Sequence, residues 1–81
     1  MNMDLTQAVR GERYRVGIIQ AGRLLARKLD SLGIRPGVEI IKKSSQLIRG
    51  PVIVQVCQTR VAIGFGMAQK IMVTPVKQED R

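Results

Sequence analysis

Polar and apolar residues change their rhythm several times along this 81-residue chain. Tyr14, Val16 and Ile18 alternate with Arg13, Arg15 and Gly17, the period of two expected of a half-buried strand over Tyr14 to Ile19. From Arg23 to Leu32 the period lengthens. At about 100° per residue, Leu25, Leu29 and Leu32 share one stripe, Arg23, Arg27 and Asp30 project to the opposite side, and Lys28 sits at the boundary. That spacing predicts an amphipathic helix of about three turns. Its end is well punctuated: Gly33 suits a left-handed residue after the last turn, Ile34 supplies the apolar contact of a Schellman ending, and Pro36 bars continuation. Its start is weaker, with Gly22 as a poor cap.

Pro36-Gly37 is the pair a type II turn prefers, and a strand follows in which Val38 and Ile40 alternate with Glu39. Lys42-Lys43 and Ser44-Ser45 lead into a loop that ends at Gly50-Pro51 and reads as an exposed hairpin connection. Val52, Val54 and Val56 then face one way, with Ile53, Gln55 and Cys57 facing the other. Gln58-Thr59 turns the chain into Arg60-Val61-Ala62-Ile63, although the pair lacks the Gly or Asn that a two-residue hairpin favours. Upstream, Leu5, Ala8 and Val9 predict a short turn or 3₁₀ segment that exits at Gly11. Downstream, Gly64 to Lys70 predicts one turn of helix, and Ile71-Met72-Val73 a final strand.

Five short strands and one inserted helix predict a mainly β fold, a small closed barrel, because closure removes exposed edges from so small a sheet. The expected core is Val16, Ile18, Leu25, Leu29, Leu32, Ile34, Val38, Ile40, Val54, Val56, Val61, Ile63, Ala68, Ile71 and Val73. Residues 1–74 form the expected domain and 75–81 a polar, frayed tail.

Composition narrows the chemistry. A single short domain buries only about 60% of the surface it exposes unfolded, so the core must be efficient. Hydrophobic residues make up 44% and charged residues 25%, enough apolar side chain to fold despite a net charge of +8. The absence of His excludes Ser-His-Asp triads, Cys-His dyads and imidazole metal ligands. Cys57 alone makes neither an internal disulfide nor a Cys-rich zinc site. No secretory signal is visible at the start, and Val61 to Ala68, the longest run free of polar side chains, is far below the roughly 20 residues of a membrane span. The expectation is a cytoplasmic domain that is not an enzyme.

Several marks recur in a recognisable order: Leu5-x-x-Ala8-x-x-Gly11, Leu29-x-x-Leu32-Gly33-Ile34-x-Pro36-Gly37-x-x-Ile40, Gly50-Pro51-Val52, Arg60-Val61-Ala62-Ile63 and Met67-Ala68-x-x-Ile71-x-Val73. This order resembles the FeoA family from Leu5 to Val73, with the Leu-x-x-Leu-Gly-Ile-x-Pro-Gly block the most specific part. The resemblance implies an SH3-like β-barrel that works with bacterial ferrous-iron uptake by acting on FeoB, a membrane transporter with a cytoplasmic GTP-binding region. It also implies kinship with C-terminal domains of metal-dependent repressors and an association with transition metals. This sequence departs from the family in two respects: it offers no His, and it carries Gln58 where many relatives carry Gly, which implies a looser or longer hairpin turn.

The candidate surfaces follow. Arg23, Arg27 and Lys28 share a helix edge that Arg35 extends, with Asp30 placed to neutralise part of it at i+3 from Arg27. Lys42, Lys43 and Arg49 flank a loop where basic residues attract an anionic membrane surface by about 1 kcal/mol each, or equally protect a sheet edge. No tightly bound cofactor is expected. A weak divalent transition metal is the candidate ligand, with Cys57 the candidate metal residue and Asp4, Glu79 and Asp80 weaker carboxylates. The incomplete Gly64-x-Gly66 spacing argues against a phosphate loop. The expected partner is a FeoB-type transporter, with the chain a monomer or weak dimer. The alternative is a basic nucleic-acid-binding or metal-dependent regulatory module. Only Tyr14 and Phe65 could stack on bases, which weighs against nucleic acid.

Overall fold

A computed structural model describes residues 3–44 and 49–77. Six strands form one antiparallel sheet: β1 (Met3–Asp4), β2 (Arg13–Ile19), β3 (Glu39–Lys42), β4 (Val52–Val56), β5 (Thr59–Ile63) and β6 (Ile71–Pro75). Their spatial order is β1-β6-β2-β3-β4-β5. A 3₁₀ turn (Leu5–Gln7) follows β1, helix α1 (Arg23–Ser31) joins β2 to β3, and the single turn α2 (Phe65–Ala68) joins β5 to β6. The architecture is mainly β and SH3-like, as expected, but the sheet is not closed: β1 pairs only with β6 and β5 only with β4. β1, too short to be read from the sequence, is the sixth strand. At two residues it offers too little backbone to bridge to the far edge.

The chain start is locked by local hydrogen bonds. Asp4 caps the 3₁₀ turn by accepting from the Thr6 N–H at 2.8 Å, while the Gln7 side chain accepts from the Asp4 N–H at 2.9 Å. Leu5 and Ala8 are buried, whereas Val9 is exposed and donates its N–H to the Tyr14 hydroxyl at 2.7 Å. The phenol of buried Tyr14 thus finds the polar partner that burial demands.

Helix α1 ends as its sequence predicts. The Ile34 N–H donates to Leu29 O and the Gly33 N–H to Asp30 O, both at 2.9 Å, the two bonds of a Schellman motif, with Gly33 at φ +91°. The next turn is type II: Gly37 has φ +96° and the Val38 N–H donates to Arg35 O at 3.1 Å. Leu29 faces the sheet and is fully buried, worth about 1.5–3 kcal/mol relative to an exposed leucine.

Two expected core residues lie outside the core. Ile18 is 70% exposed because the β2–β6 register shifts between Val16 and Ile19, so the alternation that buries Tyr14 and Val16 breaks at Gly17. Leu32 is exposed because it is the C-cap residue, where the chain leaves the helical path. Leu5, Ala8, Tyr14 and Val52 join the core instead. Val52, Val54 and Val56 are all buried, while Leu25, Val38 and Met67 pack against the core half-buried. β6 continues past Val73 to Pro75, and the Val76 N–H donates to Arg13 O at 3.0 Å. Among the described residues, no helix is long and apolar enough to cross a membrane.

Candidate functional site

Helix α1 turns Leu25, Ala26 and Leu29 toward the sheet, which leaves Arg23, Leu24, Arg27 and Lys28 on its outer side. All four are exposed, and none of the three cations is in an ion pair among the described residues. Leu24 is 83% exposed and has Arg27 and Lys28 as its i+3 and i+4 neighbours. The Arg23, Arg27 and Lys28 edge is therefore a continuous surface with an apolar residue in it. Lys28, in the last turn, also complements the negative end of the helix dipole.

Arg35 belongs to the same end of the helix but is engaged differently. Its Nε donates to Asp30 Oδ1 in a close ion pair, and its Nη2 donates to Asp30 O at 3.1 Å. Asp30 thus neutralises Arg35 and not Arg27, because the Schellman ending and type II turn fold Arg35 back over the helix terminus. Beside it, Ile18, Ile19, Ala26, Ile34, Asp30, Arg35 and Pro36 line an apolar groove of about 430 Å³ between α1 and β2. Ile18 and Leu24 were not among the expected surface residues. The cue to Leu24 was available in its helical phase, between those of Arg27 and Lys28, whereas Ile18 is turned outward by a bulge that periodicity does not reveal.

The Lys42-Lys43 pair is not an exposed docking patch. Lys42, expected at a docking surface, is only 2% exposed, with its Nζ donating to Ala8 O at 2.7 Å. Its place in β3 explains this: Ile40 and Lys42 share the inward register that Val54 and Val61 continue across the sheet. Extending the Val38, Ile40 alternation by one step would have found it. Burial also holds the Lys42 pKa below the usual lysine range, because desolvation penalises the ammonium. Lys43 is half-buried, its N–H donating to Ile53 O at 2.8 Å. Arg13 and Arg15 both pair with Glu39, at 3.6 Å and 2.7 Å.

Cys57 lies outside β4, as the first of two residues in a tight turn that pairs Val56 with Thr59. Its φ is +57°, the geometry of the first central residue of a type II′ turn, so the turn is neither longer nor looser for want of a glycine. The thiol is exposed, and no group of three or more His, Cys, Asp or Glu residues gathers among the described residues. Asp4 is occupied as a cap, and Glu79 and Asp80 lie outside the described residues. Met67 packs against the core. Of the two aromatic residues, Tyr14 is buried and its hydroxyl engaged, which leaves Phe65 as the single half-exposed ring.

A six-stranded antiparallel sheet, one inserted helix and a cationic outer helix face define a small SH3-like β domain. The family model of the FeoA domain matches residues 3–75, and the chain belongs to the FeoA family. The crystal structure of an iron uptake regulatory protein, FeoA, is 34% identical and superposes with a TM-score of 0.82, over 94% of this chain and 99% of that one. The solution structure of a FeoA protein from Chlorobium tepidum gives a TM-score of 0.84 at 20% identity, over 96% of this chain and 74% of that one. A manganese-dependent transcriptional repressor gives 0.82 at 22% identity, over 93% of this chain and 42% of that one. These last two likenesses concern the fold. No curated protein matches the chain. Membership of the FeoA family supports a role in ferrous-iron transport.

Proposed function

We propose that this domain docks on the cytoplasmic part of a FeoB-type membrane transporter and modulates iron(II) uptake without catalysing a reaction itself. The observation that carries this reading is Leu24, an 83% exposed leucine set among Arg23, Arg27 and Lys28 on the outer side of α1. Arginine is among the residues that anchor interfaces when a partner desolvates them, and surrounding cations steer an acidic partner into register. A separate apolar groove bearing Ile18 lies between α1 and β2. Weak, transient binding of a divalent metal is compatible with this role, but docking does not require it.

The test is capture of the transporter from detergent-solubilised membranes by the intact protein. Leu24→Ser and Arg27→Glu should each weaken capture at least about tenfold, the loss of about 1.4 kcal/mol. Both positions are exposed, so the melting temperature should be unchanged within error. Absence of capture by the wild-type protein, or equal capture by all three proteins, overturns the proposal.

A further inference from the structure

Away from α1, Arg10, Gly11, Lys42, Lys43 and Arg60 line a small cavity of about 190 Å³. They come from three places in the chain: the loop after the 3₁₀ turn, the end of β3 and the start of β5. The loop is fixed to the strand by main-chain bonds, the Gly11 N–H donating to Lys42 O at 2.7 Å and the Lys42 N–H to Glu12 O at 3.2 Å. Gly11, at φ +88°, lets the loop make that reversal.

The four charged residues are all cationic, and among the described residues no carboxylate lines the cavity. None of the four is in an ion pair among the described residues, where Asp30 and Glu39 are taken by Arg35, Arg13 and Arg15. Glu12, the nearest acid in the chain, contributes its main-chain oxygen to Lys42. Lys42 is the decisive member. An ammonium has three donors, and among the described residues one is used, on Ala8 O, within a residue that is 2% exposed. Burying a charge with unmatched donors is costly unless a counter-charge completes it. Its lowered pKa has the same origin in desolvation.

We propose that this cavity is an oxyanion site that takes a phosphate group. The guanidinium forks of exposed Arg10 and Arg60 suit bidentate recognition of phosphate oxygens, Lys43 supplies a point charge, and buried Lys42 adds positive potential to the wall. A recess of this size accepts a phosphate group with a few waters. Such an anion comes from a soluble phosphate or from a phospholipid headgroup. The site uses no residue of α1, so it stands or falls independently of transporter docking.

The experiment titrates inorganic phosphate and pyrophosphate into the intact protein at constant ionic strength set with chloride, followed by backbone-amide NMR. In parallel, the protein is sedimented with phosphatidylcholine vesicles with and without phosphatidylglycerol. Saturable shifts centred on Gly11, Lys43 and Arg60, weakened at least about tenfold by Arg10→Ala and by Arg60→Ala but not by the exposed Lys70→Ala, establish a soluble phosphate as the ligand. No effect of either soluble anion, together with phosphatidylglycerol binding that both arginine variants abolish, establishes the headgroup. Lack of both effects, or binding that Arg10→Ala and Arg60→Ala leave intact, overturns the site. Both arginines are exposed, so these variants test the site without removing core contacts.

Discussion

Cys57 and Lys42 are the residues at which local chemistry and tertiary position are most at odds. Cys57 holds a left-handed φ of +57° that costs a residue with a Cβ about 1–2 kcal/mol. Glycine takes that geometry freely but loses more chain entropy on folding, about 0.5–1 kcal/mol. Cys57→Gly should therefore stabilise the domain by up to about 1 kcal/mol and raise its melting temperature by several degrees, read by thermal unfolding. A lower melting temperature would mean that the thiol is held by something more than turn geometry. For Lys42, the unfolded chain keeps the ordinary pKa of about 10.4, whereas the folded chain holds a lowered one. Between those two values the unfolded state binds more protons, so stability rises with pH across that window, and below it the full penalty of the buried ammonium is present. Urea unfolding in chloride buffers from neutral pH to about 10 should give a flatter pH dependence for Lys42→Met than for the wild type. Parallel curves for the two proteins would show that Lys42 titrates normally.

The helix is the element whose ends and faces matter most. Its Schellman ending positions Gly33 at φ +91°, and a Cβ there would sit 3.3 Å from Val56 Cγ1. Gly33→Ala combines left-handed strain with a crowded contact, and should cost about 1–2 kcal/mol, measured by urea unfolding. The same ending folds Arg35 onto Asp30, which removes one cation from the helix surface while Arg23, Arg27 and Lys28 stay available. Strand β2 shows the opposite case. The register shift between Val16 and Ile19 releases Ile18 from the core and places it at the rim of the groove beside α1. A local irregularity in one strand thus makes one wall of the groove.

At the scale of the molecule, the charge of +8 divides into parts with different roles. Arg13 and Arg15 share the carboxylate of Glu39, Arg35 pairs with Asp30, Arg23, Arg27 and Lys28 face outward on α1, and Arg10, Lys42, Lys43 and Arg60 surround one cavity. Interleaved aromatic platforms of the kind that bind single strands are missing from this distribution, since Tyr14 is buried. An exposed cationic helix face implies that transporter capture should weaken as salt rises toward several times the physiological level, because screening shortens the reach of surface charge. Capture that resists salt would assign the contact to Leu24 and Ile18 alone. The open sheet also matters at this scale. One of its two edges, β1, is only two residues long, and short edges are one way that small sheets limit unwanted pairing.

Much of this was legible in the residues themselves. The alternation in β2 and β4, the stripe through Leu25 and Leu29, and the Gly33-Ile34-x-Pro36-Gly37 block each encode a local preference, and local preferences set strands, helix, turn types and most of the core. They also set what is chemically unavailable, since a chain without His cannot assemble imidazole chemistry. Exposure of Ile18, the contact of Lys42 with Ala8 O and the open sheet were decided elsewhere. Each depends on register or pairing between segments distant in the chain, and a shift of one residue between strands exchanges inside for outside without any change in composition.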